Sequence, residues 1–217
     1  MLKSNKHVFW EALLITVVVF LFGFLIGFLF ESGRIDDVNK YYANSEISLM
    51  DLFALNDLVN LNSSSCAQLV ESNMNFADRI FEEAYLMEKY SDANKIDTEQ
   101  LIIHQRYDLM RTLLWINLAK IKNKCKGFHS VVYLYEYNQE DLVKKANQNV
   151  WSKVLVDLKN KRGSDIILIP IATDTKISSL QSFIKKFEIK EYPVVIIDDK
   201  TVLEKITSVE DIETYLN

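Results

Sequence analysis

From Ala12 to Phe30 the chain runs for 19 residues without a charge, most of them Leu, Ile, Val and Phe. As a helix such a run spans about 28 Å at 1.5 Å per residue, matching a bilayer core. It is apolar all round, whereas a buried core helix of this length normally shows a polar stripe. The pattern predicts a membrane helix over about residues 10–30, within an anchor segment 1–33, with the lipid bilayer as its partner. A cleaved signal peptide has a shorter apolar region followed by a small-x-small site. Glu31, Ser32, Gly33 and Arg34 follow here instead, so the reading is an uncleaved signal anchor in the cell membrane. Lys3, Lys6 and the amino terminus precede the span, while Arg34 and Lys40 follow it among Glu31, Asp36 and Asp37. Acidic residues count for little in the positive-inside rule, and the balance leans toward a cytoplasmic amino terminus and an extracytoplasmic remainder. Gly23 and Gly27 form a G-x-x-x-G pair that would let two such helices approach closely, a candidate homodimer contact; incidental glycine in a Phe-rich span is the competing reading.

Between Ile35 and Lys126 there is neither Pro nor Gly, so the strongest structural punctuation is missing and long helices are expected over a module 34–126. Leu69, Met74 in place of Asn73, Phe76, Ala77, Ile80, Phe81, Ala84 and Met87 recur mostly at three and four. Leu101, Ile102, Leu109, Leu113, Ile116 and Ile121 do likewise, and each set predicts one amphipathic helix. The polar run Ser91 to Lys95 separates them, with Asp97 or Thr98 as N-cap of the second and Ser63-Ser64-Ser65 as the start signal of the first. An earlier segment, with Ile47, Leu49, Met50, Phe53, Leu58 and Val59 as its apolar set, is expected to pack on this antiparallel hairpin.

Cys66 and Cys125 each lie about thirty residues from the middle of the turn, so an antiparallel hairpin brings them together. A disulfide needs Cα atoms within about 7 Å, which the spacing alone does not guarantee, and two unrelated buried thiols are the alternative. An external location favours the bond, because disulfides persist there. The sequon Asn62-Ser63-Ser64 fits an external loop too, although such short matches arise often by chance. Lys120, Lys122, Lys124 and Lys126 read as a solvated helix end that also suits the negative end of the helix dipole.

At Gly127 the period changes. Phe128 to Tyr137 is β-branched and aromatic and reads as a strand. A helix follows over Glu140 to Lys161, with Leu142, Ala146, Val150, Val154, Leu155 and Leu158 on its apolar side. Next come a strand at Asp165–Ala172, a helix at Lys176–Phe187, strands at Tyr192–Asp198 and Thr201–Ile206 joined by a tight turn at Asp198-Asp199-Lys200, and a last helix at Val209–Leu216. The class is α+β, with a carboxy-terminal α/β domain over 127–217 in the order β-α-β-α-β-β-α. Strands separated by helices should pair in parallel and the final pair antiparallel.

That order, together with "EIKEYPVVIIDDK" at residues 188–200, resembles the thioredoxin-like superfamily over residues 128–217. The resemblance implies a cis Pro193 opening the third strand and a Tyr192 backbone that faces any bound peptide; an ordinary trans Pro at a strand start is the alternative. The family's C-x-x-C motif should follow the first strand, but Tyr137-Asn138-Gln139-Glu140-Asp141 stands there without sulfur. Exchange requires a thiolate, so the domain cannot perform that chemistry by itself. The whole layout also resembles membrane-anchored proteins from archaea, and the Lys, Ile and Asn bias fits an AT-rich genome.

Composition narrows the function classes. The 217 residues are 49% hydrophobic and 25% charged, with 5 Gly and 2 Pro, which excludes collagenous and disordered chains. A net charge of −5 leaves no basic face for nucleic acid. Two Cys and three scattered His offer no metal set, and His129 inside a strand reads as a packed or edge histidine. No P-loop, HExxH or Ser-His-Asp grouping occurs, so no catalytic residue and no cofactor is assigned. The leading expectation is a redox-inactive adaptor that binds a polypeptide through Tyr137, Asn138, Tyr192 and Pro193. Its rivals are an oxidoreductase accessory using Cys66 and Cys125, and a structural subunit of a membrane complex.

Overall fold

A computed structural model describes residues 6–61, 65–90 and 98–216. The sequon at Asn62, the starts at Ser63 and Ser64, the Ser91–Lys95 separator and Asp97 lie outside the described residues. The protein is α+β and forms two compact units, Met1–Asn44 and Ser45–Asn217.

In the first unit, Val8–Leu29 is one apolar stretch of α1 (Lys6–Asn60), long and apolar enough to cross a membrane, with none of it buried against protein. The Thr16 hydroxyl inside this stretch donates to the Ala12 carbonyl at 2.8 Å, so its polar atom is satisfied within the helix itself.

The second unit joins the helices to a four-stranded mixed sheet. The elements are α2 (Cys66–Tyr90), α3 (Thr98–Ile121), β1 (His129–Tyr135), α4 (Leu142–Arg162), β2 (Ile166–Ala172), α5 (Ser178–Ile184), β3 (Val194–Ile197), β4 (Thr201–Leu203) and α6 (Val209–Glu213). The sheet order is β2-β1-β3-β4, with β1 parallel to β2 and β3 antiparallel to β4; β3 runs antiparallel to β1, against the parallel pairing expected of strands separated by helices, because the chain enters it from the opposite end of the sheet. Alternate residues of the strands, Val131, Tyr133, Ile166, Leu168, Val195 and Ile197, form one core with Trp151, Leu155 and Leu158 of α4 and Ile212 of α6. On the other face α3 meets β1, β2 and α5, and Trp115 packs edge-on against Phe183 at 4.7 Å and stacks with Phe187 at 5.6 Å. Burial on both faces explains the near-continuous apolar strands. Helix α2 packs against edge strand β2, and Pro170, which has no N–H to give, stands in that edge strand.

The disulfide joins Cys66 and Cys125 across a Cα separation of 5.2 Å. It closes a sequence separation of 59, worth about 4 kcal/mol on the chain-entropy account. Ser65 caps α2 by accepting from Gln68 N at 3.2 Å.

The helix faces differ from the apolar lettering. Toward the end of α1 the buried positions are Ser45, Leu49, Leu52, Asn56 and Val59, while Ile47, Met50 and Leu58 are exposed. In α2 it is Asn73, not Met74, that is fully buried, and Phe81 lies at the exposed rim. In α3, Leu101, Ile102 and Leu109 are exposed, and the buried side is Tyr107, Met110, Leu114, Trp115, Leu118 and Ile121 with Asp108, Arg111, Thr112 and Asn117 among them. In α4, Leu142, Ala146 and Val150 are exposed and Trp151 is the inward anchor. The reason is common to α1, α2 and α3: polar residues occupy the inner stripes because they bond to one another there. Asn56 donates to Asn117 at 2.9 Å, Asn117 to Asn73 at 3.3 Å, and Asn73 to the Leu69 carbonyl at 2.7 Å, a chain across three helices. Glu83 likewise accepts from Ser45 at 2.7 Å and Tyr107 at 3.2 Å.

The β3–β4 turn forms as expected, with positive φ at Asp198 (57°) and Asp199 (58°), as a primed hairpin turn demands. Asp198 accepts from Ser130 N at 2.9 Å and His129 Nδ1 at 2.7 Å, and it pairs with Lys122. Trp115 Nε1 donates to Asp199 at 2.6 Å. His129 is thus a partly exposed structural partner of the turn. Burial pushes the Asp198 carboxyl up, but the donors Lys122, His129 and Ser130 N outweigh it and hold the group below the usual carboxylate range. A depressed folded-state value means that ionised Asp198 stabilises the fold above the ordinary Asp range near 3.9, and that this contribution disappears as pH falls through the depressed value. Asp198→Asn is therefore expected to cost about 1–3 kcal/mol at pH 7 and to reduce the loss of stability on acidification. Urea unfolding of the detergent-solubilised chain at pH 7 and pH 3, followed by tryptophan fluorescence, checks both.

Candidate functional site

β1 ends at Tyr135, whose carbonyl accepts from Thr173 N at 2.8 Å and the Thr173 hydroxyl at 3.0 Å. Past that point the chain is held by side chains. Gln148 from α4 mimics a neighbouring strand, accepting from Glu136 N and donating to the Glu136 carbonyl, both at 3.1 Å. Asp174 accepts from Tyr137 N and Asn138 N, one carboxylate oxygen each, both at 2.8 Å. The Gln139 side chain bonds Glu136 and accepts from Asp141 N. Asp141 then caps α4, accepting from Val143 N at 2.8 Å and Lys144 N at 3.2 Å. The first-turn amides of the helix that follows β1 are thereby occupied by an internal carboxylate. Of the two sequence-predicted residues here, Tyr137 is half-buried and Asn138 exposed, and both are fixed through their backbones.

The other predicted pair lies beside this loop. The Tyr192-Pro193 bond is cis and Pro193 is buried, with Val194 opposite Leu134 on β1, so Tyr192 stands outside the ladder next to the end of β1. Burial pushes the Tyr192 phenol up; a Thr173 hydrogen bond pulls against that, and the Glu136 carboxylate adds to it. Tyr192 is thus linked through Thr173 and Glu136 to the end of β1, next in sequence to Tyr137 and Asn138, which Asp174 holds.

Helix α3 supplies what the sequence did not point to. His104 packs against Tyr137, with ring centroids 3.9 Å apart and the planes tilted by 39°. Its Nδ1 lies 2.8 Å from Asp108, and its Nε2 lies 3.4 Å from the Tyr135 hydroxyl. Asp108 is fully buried, accepts from Ala172 N at 3.2 Å and pairs with Arg111 at 3.5 Å. Gln105 of the same helix donates to the Thr175 carbonyl at 2.9 Å. The i, i+4 spacing of His104 and Asp108 was the one available signal, and it was hidden because neither residue belongs to the apolar stripe.

Cys66 and Cys125 are bonded to each other, Cys125 being buried. Gly23 and Gly27 lie in the apolar stretch of α1, and among the described residues nothing beyond the helix's own nearby backbone lies within 4 Å of where a Cβ would stand. Among the described residues no three His, Cys, Asp or Glu side chains converge as a metal site would need.

No protein family and no curated protein matches this chain by sequence. The geometry therefore carries the reading: a sulfur-free loop held by side-chain hydrogen bonds, a tyrosine outside the ladder beside it, and His104 against Tyr137 with buried Asp108 behind it. Asp174→Ala should free the loop, raising amide hydrogen exchange at Tyr137 and Asn138 at least tenfold while leaving Trp151 unchanged. Exchange followed by mass spectrometry checks it.

Proposed function

We propose that the protein is a single-pass, membrane-anchored, redox-inactive thioredoxin-like adaptor that holds an extended polypeptide beside Tyr192, outside the cytoplasm. The observation that carries the reading is the place of Tyr192, which precedes β3 outside the ladder and lies beside the end of β1, where the sulfur-free loop begins. The strand order β2-β1-β3-β4, with its single parallel pair and helices on both faces, supports the same fold relationship. The Tyr192 backbone, outside the ladder, offers strand-like hydrogen bonds, and the half-buried Tyr137 and Tyr192 rings offer apolar contact. Thiol chemistry is unavailable in the loop, because Gln139, Glu140 and Asp141 stand where an attacking sulfur would be needed. The Cys66–Cys125 bond supports an oxidising location, and the Val8–Leu29 stretch supports the anchor.

A photo-reactive amino acid at the exposed Asn138 should crosslink a polypeptide in intact membranes, and Tyr192→Ala with Pro193→Ala should reduce that product at least tenfold. An unchanged crosslink rejects the site. Location is read separately by maleimide labelling of denatured membranes with and without reduction. Two labels are expected only after reduction, whereas two freely labelled thiols reject the external placement.

A further inference from the structure

Within the Ser45–Asn217 unit, the end of α1 turns an apolar stripe away from the fold. Ile47, Met50, Ala54 and Leu58 recur at spacings of three and four, which sets them on one side of the helix. All four are exposed, Ile47, Met50 and Leu58 by 66%, 56% and 42%. The opposite side of the same segment is committed to the core. Leu49, Leu52 and Val59 are buried there, Ser45 donates to Glu83 at 2.7 Å, and Asn56 donates to Asn117 at 2.9 Å. These buried polar bonds fix the rotation of the helix, so the outer stripe cannot turn inward without breaking them. An apolar row held outward in this way marks an interaction surface.

Charge decides among the partners. The charged residues between Asn44 and Leu61 are Glu46, Asp51 and Asp57, all acidic and all exposed. At 3.6 residues per turn, Asp51 falls on one flank of the stripe and Glu46 and Asp57 on the other. A lipid surface is a poor match, because helices that lie in the bilayer interface carry Lys and Arg on their polar face, and this segment has neither. A second copy is a poor match as well. Any self-pairing along the stripe sets these acidic side chains against their own kind, and like charges at the flanks of a helix pair oppose it. An apolar helix face bordered by Lys or Arg answers both the stripe and its edges.

We propose that the outer face of α1 at Ile47, Met50, Ala54 and Leu58 docks an amphipathic helix of another protein, one whose apolar stripe is flanked by lysine or arginine. The contact runs along roughly 17 Å of α1 at 1.5 Å per residue. Burial of the two stripes supplies the affinity, and the flanking charges select the partner. This surface is carried by a different element from the loop after β1 and Tyr192, so it stands independently of the extended-polypeptide reading.

The test uses the full chain in nanodiscs of zwitterionic lipid, with empty nanodiscs as the baseline, and three labelled helical peptides of equal length. One carries a leucine stripe with lysine flanks, one a leucine stripe with glutamate flanks, and one a serine stripe with lysine flanks. By fluorescence anisotropy the first should bind at least tenfold more tightly than either of the others. Ile47→Ser with Leu58→Ser should lower its affinity at least tenfold while leaving the far-ultraviolet circular dichroism unchanged. Charge reversal by Glu46→Lys, Asp51→Lys and Asp57→Lys should transfer the preference to the glutamate-flanked peptide, a gain that a misfolded variant would not show. A photo-reactive amino acid at Ala54 should crosslink the first peptide. Equal binding of the two leucine-striped peptides, an affinity unaltered by the serine substitutions, a preference unmoved by charge reversal, or no binding of any peptide overturns the proposal. A crosslink at Ala54 that joins two copies of the chain assigns the face to self-association and overturns it too.

Discussion

Helix α3 is enclosed on several sides, and a polar side chain it buries must be paired, either within the helix, as Thr112 is by the Asp108 carbonyl, or on another element. That requirement governs the Ser45–Asn217 unit. Asn117 is answered by α1 and α2, Asp108 by the β2 backbone, and Trp115 and Lys122 by the β3–β4 turn. An apolar helix could slide by a turn at modest cost. One carrying these groups cannot, because each displaced donor or acceptor would sit buried and unpaired at about 1–3 kcal/mol. The register of the helices against the sheet is thus fixed by hydrogen bonds laid over hydrophobic contact.

The same constraint explains what the amino-acid order reveals and what it hides. Strands β1, β2 and β3 are legible because they are buried on both faces, and a run such as Ile166–Ala172 admits few readings. The turn at Asp198-Asp199 and the cysteine pairing were legible for local reasons: residues that tolerate positive φ in one case, matching hairpin arms in the other. The helix faces were not. Apolar periodicity takes Asn56, Asn73 and Asn117 for solvent-facing residues, although each is buried and bonded to the next. Leu142 and Val150 err in the opposite direction, being apolar yet exposed on α4.

At the candidate site the loop residues Tyr137 and Asn138 and the Tyr192-Pro193 pair could be picked out from the strand pattern and its resemblance to a known fold. Their support could not. Asp174, Gln148 and His104 reach the loop from three other elements, and only the assembled chain brings them within hydrogen-bonding or ring-contact distance.

The Cys66–Cys125 bond has a mechanical consequence. A pull applied between the start of α2 and the start of β1 passes from Cys66 through the sulfurs to Cys125. The hairpin between them is a side loop off that path and carries no tension while the bond is intact. Load arriving from the amino-terminal side of the chain therefore reaches the sheet through a covalent shortcut, and α2 and α3 keep their packing around the buried polar groups under a force that would otherwise draw them apart.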